Sequence, residues 1–396
     1  MKQVINFRAS DIRFKMNFSQ IPGQKEVIIR LIRSVQEERV SHAQIFTGPE
    51  GCGSLAIALA YAKYISCENR NETDSCGTCR SCVKYEKMIH PDLHFVFPVI
   101  KKDKKDTEPV SDSFIETWRE YVGKSPYITL NGWLNSIGVG NAQGLIFSSE
   151  AAEIIKKLNL KTFESDFKIM IIWLPEKMHP SAANKLLKLI EEPHERTIFL
   201  LVSEEPDKVI PTILSRCQMI RLPGFSNNEI TDFLVKTFST DKQKASETAG
   251  VANGNIIKAI ELLENEDSSF QNLDRFKNLM RFAWKRDIIS LINWSEDIST
   301  TGREAQKDFL TYSLRILREN LMLTLDQQKN NLVYLAGEEA VFSRNFHPFI
   351  HQNNICYLTD EFNRAFSHVE SNGNSRIIFL DFALRITRLI DRTVKA

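Results

Sequence analysis

Residues 168–217 read KIMIIWLPEKMHPSAANKLLKLIEEPHERTIFLLVSEEPDKVIPTILSRC, and this stretch decides the fold. Two short, continuous apolar runs, Lys168–Trp173 and 197–202, read as parallel strands buried on both faces. Between them the spacing predicts a helix. Pro180 suits its first turn, and Ala183, Leu186, Leu187 and Ile190 fall at i, i+3, i+4 and i+7. Pro193 pushes Glu192 out of the α region and ends the helix. Strand, helix and strand at this length make a βαβ unit, whose strands pair in parallel. The unit closes on Pro211-Thr212-Ile213-Leu214-Ser215-Arg216-Cys217.

Upstream, 41–47 leads into a short strand that ends in Gly48-Pro49-Glu50-Gly51-Cys52-Gly53-Ser54-Leu55, and a helix follows with Ala56, Ala58, Leu59 and Ala62. Strand, glycine-rich turn and helix form the context of a phosphate-binding P-loop, G-x-x-x-x-G-K-[ST]. Gly48 and Gly53 fit that pattern and Gly51 lies between them, but Ser54 stands at the lysine position and Leu55 at the hydroxyl position. The missing ammonium would have neutralised the β- and γ-phosphates, and the missing hydroxyl would have held Mg²⁺. Each lost charge-assisted contact costs about 1.5–3 kcal/mol. Backbone amides around Gly48, Gly51, Gly53 and Ser54 can still cradle an anion, so ATP binding stays open while hydrolysis does not. The strand ending in Ile171-Ile172 runs into Trp173 and Leu174 rather than two acids, and Glu176 lies beyond Pro175 as a solvated turn residue. Three concordant losses predict a silent site.

Seven cysteines include a cluster of four, Cys67, Cys76, Cys79 and Cys82, spaced C-x8-C-x2-C-x2-C. Without a secretory signal that spacing favours a metal over disulfides. Four thiolates complete tetrahedral Zn²⁺ and leave no open position, so the zinc would be structural; an iron–sulfur cluster takes the same ligands. His90 and His94 follow closely, but His90-Pro91-Asp92 reads as a turn into a strand over 93–99.

NKLLKLIEEP followed by PTILSRC resembles the ATPase-like AAA+ domain of DNA polymerase clamp loaders, and above all the ATPase-inactive, delta-prime type of bacterial DNA polymerase III. The resemblance covers about 20–100 and 145–265. It implies that Arg216 is an arginine finger, offered in trans to a neighbour's ATP. It also implies a zinc module between the P-loop helix and the next strand. The partners it implies are ATPase clamp-loader subunits, a delta-type subunit, the sliding clamp and primed DNA within the complex. Gly254-Asn255-Ile256-Ile257-Lys258 is similar to the lid motif of this class, with Lys258 at its sensing position. In clamp loaders the C-terminal helices form an oligomeric collar.

The expected architecture is α/β followed by all-α. A P-loop-type parallel sheet domain with its zinc module at 67–82 spans 1–222, a small helical lid domain 223–266, and a C-terminal helical collar domain 267–396. An insertion at 100–146 departs from the family outline. It opens with charged KKDKKDTEPVSDS, then carries Phe114, Trp118 and Tyr121 at helical spacing, and its glycines make the rest read as loop. In the C-terminal part Leu310, Leu314, Leu317 and Leu321 recur as one stripe, and Asn374 caps a helix bearing Phe379, Phe382, Ile386 and Leu389.

At 396 residues, 42% hydrophobic and 26% charged, the chain has an ordinary globular composition. Its formal net charge of +1 provides no global basic field, so DNA would be met through a local patch or within an assembly. No apolar run approaches the ~20 residues that span a membrane, and MKQVINFRASDIRF has no signal-peptide core, so a cytoplasmic protein without a membrane partner is expected. Two other readings share part of the pattern. Ser54, Leu55 and Trp173 argue against an active motor ATPase such as a helicase loader. The charge balance argues against a zinc-dependent nucleic-acid-binding module.

Overall fold

Burial on both faces explains why the strands read as unbroken apolar runs. In the computed structural model, β1 (Ala43–Thr47), β3 (Lys168–Trp173) and β4 (Thr197–Ser203) are buried at every position. With β2 (Leu93–Val96) and β5 (Gln218–Arg221) they form one parallel sheet in the order β2-β3-β4-β1-β5. Residues 14, 16–101, 108–138, 144–264, 266–325, 335 and 337–390 are described. They divide into two compact units, one running to Glu261 and one beginning at Leu262.

In the first unit, α1 (Lys25–Gln36) precedes β1, α2 (Ser54–Ile65) follows it, and α3 (Arg80–Glu86) leads towards β2. Helix α2 covers one face of the sheet with Leu55, Ile57, Leu59 and Tyr61 against Phe46, Ile171, Leu200 and Val202. The other face carries α6 (Glu150–Asn159) and α7 (Pro180–Glu191), whose Ile154, Leu158, Ala183, Leu186 and Ile190 meet Ile45, Met170, Ile172, Phe199 and Leu201. The result is the three-layer arrangement expected of a parallel sheet. Buried Lys168 joins two of those layers. Its Nζ donates to the carbonyls of Lys157, Leu158 and Leu160, at the negative end of α6.

The insertion is more ordered than its glycines suggest. It holds α4 (Ile115–Lys124), as the spacing predicts, and α5 (Leu130–Ser136), which the sequence reading left as loop. Packing outweighs the glycine here. Thr129 Oγ1 accepts from Gly132 N at 3.0 Å to start the turn, and the Trp133 indole is fully buried, donating to the Pro98 carbonyl at 2.8 Å. Trp118 stacks on Phe97 with centroids 4.2 Å apart, and lies 5.3 Å from Trp173 at the end of β3.

Four further helices follow: α8 (Pro211–Leu214), α9 (Asn227–Phe238), α10 (Lys242–Ala252) and α11 (Ile256–Glu264). A capping box between Ser226 and Glu229 starts α9. The second unit is a helical bundle with no strand among the described residues: α12 (Glu266–Lys285), α13 (Ile288–Ser299), α14 (Arg303–Leu325), α15 (Gly337–Phe346), α16 (Gln352–Glu370) and α17 (Ser375–Leu389). Its core joins Phe276, Trp294, Phe309, Leu317, Phe362 and Phe382. Of the α14 stripe, Leu310 and Leu317 are core, while Leu314 and Leu321 pack at its margin. Asn374 caps α17 as its position predicts, accepting from Arg376 N and Ile377 N.

Candidate functional site

Parallel strands place ligand sites outside their carboxyl ends, and the glycine turn lies there. Thr47 at the end of β1 pairs with Ser203 at the end of β4. The chain then turns through 48–53 into α2. Gly51 and Gly53 hold φ of 76° and 82°, a left-handed backbone that glycine adopts without strain. Such a turn makes a nest of N–H groups that cradles phosphate when the space before it is open.

Side chains of the same chain crowd the α-carbons of that turn. The Cys52 thiol is buried at the turn. A β-carbon on Gly48 would come within 2.7 Å of the same sulfur. Ile256 N donates to the Gly51 carbonyl at 3.2 Å, and a β-carbon on Gly51 would meet the Asn255 side chain and come within 3.1 Å of its Cα. At Gly53 it would lie 3.1 Å from Phe225 Cζ and 3.3 Å from Tyr127 Cε1. Tyr127 comes from the insertion. It packs edge-on against Phe14 and Phe233, both at 5.7 Å, and those two rings stack at 6.0 Å. Three separate segments thus converge on the turn that starts α2.

The neighbouring strand ends are acidic. Trp173, at the end of β3, is buried against Trp118. Glu176 is not the solvated residue its place after Pro175 suggests. Its Oε1 accepts the N–H groups of Glu204 at 2.9 Å and Glu205 at 3.1 Å, tying the ends of β3 and β4 together. Glu204 is pushed up to about 7, first by burial and then by the charges of Glu50, Glu176 and Glu205. The Ser203 hydroxyl is fully buried and makes no hydrogen bond among the described residues.

The four cysteines are brought together, with their sulfurs within 4.8 Å of one another. Cys76 Sγ lies 3.5 Å from Cys67 Sγ and 3.9 Å from Cys82 Sγ. Backbone N–H groups of Cys76, Cys79 and Cys82 point at the sulfurs of Cys67, Cys76 and Cys79, at 3.3, 3.3 and 3.4 Å. Such N–H···S contacts favour thiolates. The donor set can hold one metal ion. His90 and His94 are outside it; His90 Nδ1 takes the Asp92 N–H at 3.2 Å. The module is anchored to the core. Asp74 accepts from Phe18 N and Ser19 N, and fully buried Lys63 donates to Asn17 Oδ1 at 2.7 Å and Glu86 Oε1 at 2.9 Å.

Arg216 stands apart from the glycine turn. It follows α8 and precedes β5, so it lies at the amino end of a strand parallel to β1, whereas the turn follows the carboxyl end of β1. The sheet separates them, and the exposed guanidinium cannot serve its own chain's turn. Lys258 lies in α11, where its backbone N–H donates to Asn255 Oδ1 at 3.0 Å. The sequence reading missed Tyr127, Phe14, Phe225 and Glu204, because their roles depend on contacts between distant segments.

A parallel sheet with a glycine turn before α2 and a helical extension defines a P-loop-type subunit of the AAA+ class. Residues 23–226, just over half of the chain, match the family model described as DNA polymerase III, delta subunit, and the chain belongs to that family. It is a DNA polymerase III subunit of clamp-loader type. It is 30% identical over 244 residues to DNA polymerase III subunit delta' of Bacillus subtilis (strain 168), covering 62% of this chain and 60% of that protein. It is 26% identical over 253 residues to the subunit gamma of Buchnera aphidicola subsp. Acyrthosiphon pisum, covering 63% and 58%. The chain therefore spans about three fifths of the length of these two relatives. A gamma subunit-related protein from Thermotoga maritima superposes with a TM-score of 0.40 at 12% identity, over 93% of this chain and 100% of that one. Among the described residues no helix is long and apolar enough to cross a membrane.

The Glu204 environment gives a pH test. Its folded carboxyl is raised from 4.5 to about 7, so the folded chain holds the proton more tightly than the unfolded chain. Stability therefore falls as pH rises through that interval and stays reduced above it. Glu204→Gln removes the loss. In thermal unfolding of the full chain the variant should melt above wild type at pH 8 and level with it at pH 4.5. A difference independent of pH would contradict the buried, charge-crowded carboxyl.

Proposed function

We propose that this chain is the non-hydrolysing subunit of a clamp-loader ring. It lends Arg216 to the ATP site of a neighbouring ATPase subunit and helps load the sliding clamp on primed DNA. One observation carries the reading: Asn255, Phe225 and Tyr127 crowd the chain's own glycine turn, while the arginine of PTILSRC is exposed at the opposite, amino end of the strands. Ser54 and Leu55 in place of lysine and hydroxyl, and Trp173 in place of an acid, agree with a degenerate P-loop. The carboxylates of Glu50, Glu176 and Glu204 would further repel a triphosphate. The same three losses weigh against the motor-ATPase reading.

In this proposal the guanidinium enters the neighbour's site and offsets the charge that builds on the γ-phosphate. A finger supplied in trans is worth roughly 10³–10⁵ in rate. The helices over 223–266, which in an active subunit would close on nucleotide, instead close on the chain's own glycine turn. The helices over 267–396 act as the collar that joins a delta-type subunit and the ATPase subunits.

Zn²⁺ is the proposed occupant of the cysteine site, as a structural ion. A tetrahedron with zinc–sulfur bonds of about 2.3 Å has sulfur–sulfur edges of about 3.8 Å, close to the two separations found. When bound, the metal cross-links the loop at 67–82. About one zinc and no iron per chain is the expected metal content. Cys76→Ser should lose most of it and lower the melting temperature; a full complement retained by the variant would overturn the ligand set.

In a loader reconstituted with ATPase subunits, clamp and primed DNA, Arg216→Ala should cut DNA-stimulated ATP hydrolysis by at least about a hundredfold at the adjoining site. Hydrolysis at the wild-type rate at that site would remove the finger assignment.

A further inference from the structure

The ends of α7 and α8 meet in a pair of opposite charges. Glu191 is the last residue of α7, where unpaired carbonyls already make the potential negative. A carboxylate at that end is disfavoured unless a cation lies against it. Arg216 is that cation, with Nη2 2.6 Å from Glu191 Oε1. Its Nη1 donates to the Thr212 carbonyl at 2.9 Å and to Ser215 Oγ at 3.2 Å.

These partners do different things. Thr212 and Ser215 belong to the arginine's own turn, so they fix how the side chain leaves the backbone. Glu191 belongs to another helix, the one that crosses between β3 and β4, so it fixes the guanidinium relative to the body of the domain. Both side chains remain partly exposed, at 39% for the arginine and 38% for the glutamate, and a phosphate brought by a neighbour can reach the cation. A side chain held in place beforehand loses less rotamer freedom when it engages.

We propose that Glu191 is the positioning residue of the finger. Its carboxylate holds Arg216 in the free subunit at the place from which the guanidinium meets the neighbour's γ-phosphate. The proposal rests on reading Arg216 as a finger. Glu191 touches no nucleotide and acts only through the arginine.

The test uses the reconstituted loader with wild-type chain, Glu191→Gln, Glu191→Asp, Arg216→Ala and the Glu191→Gln/Arg216→Ala pair. kcat and KM for ATP are measured for each. Glu191→Gln should lower kcat roughly tenfold, the scale of one charge-assisted contact, with KM unchanged. Glu191→Asp should recover most of that loss. The double variant should match Arg216→Ala alone, because the two residues act as one unit. If Arg216→Ala abolishes stimulation while Glu191→Gln leaves kcat unchanged or raises it, the positioning role falls and the finger stands. A double variant slower than Arg216→Ala also overturns it, since Glu191 would then act elsewhere. If Arg216→Ala itself has no effect, the finger reading fails and the positioning role with it.

Discussion

A phosphate turn must stay open to its ligand, and here Asn255, Phe225 and Tyr127 crowd the α-carbons of the glycine turn. The contact of Tyr127 and Phe225 with Gly53, and of Asn255 with Gly51, is the constraint around which the first unit is arranged. The segment between β2 and β3 supplies Tyr127 to that contact, and separately supplies Trp118, which packs against Trp173 at the end of β3. Trp173 would be a poor residue at an aqueous metal site, and it is well placed against Trp118. The helix that starts at Ile256 is joined to the glycine turn directly, through the Ile256 N–H to the Gly51 carbonyl.

The anchoring of the cysteine module follows similar logic. A loop of small and polar residues has little apolar surface to bury, so its conformation needs other ties. Asp74, Lys63 and the Ser66–Tyr85 hydroxyl pair provide them on the side of α2. On the far side Asp92 accepts backbone N–H groups from Phe163, Glu164 and Ser165 at 2.7–2.9 Å. Burial works against its charge, but those three donors outweigh burial and hold the carboxyl below the usual range. Ser165 Oγ lies 3.2 Å from Ser66 Oγ, and Lys84 pairs with Glu164, which ties this loop to the cysteine cluster within the first unit.

Much of this was legible in the sequence, for identifiable reasons. Strands buried on both faces leave continuous apolar runs, and Pro180 and Pro193 bracket α7 closely, so 168–203 could be read almost residue by residue. The cysteine spacing carried its own geometry. Helix α5 was hidden because Gly132 and short polar neighbours carry little helical signal, and burial of Trp133 stabilises it. Glu176 was misread as solvated because its N–H donors lie on another strand. The aromatic closure was invisible for the same reason. Phe14 and Tyr127 are far along the chain from Phe225 and Phe233, and the four share no periodicity. The salt link from Arg216 to Glu191 also joins residues too distant for any local pattern.

Whether the glycine turn is closed to nucleotide is the point on which the functional reading rests. Calorimetric titration of the full chain with Mg–ATP, with a hydrolysis assay beside it, addresses that point most directly. The expected result is no saturable heat of binding and no turnover. Binding in the micromolar range would contradict the closure of the turn by Tyr127, Phe225 and Asn255, and turnover would restore the motor reading.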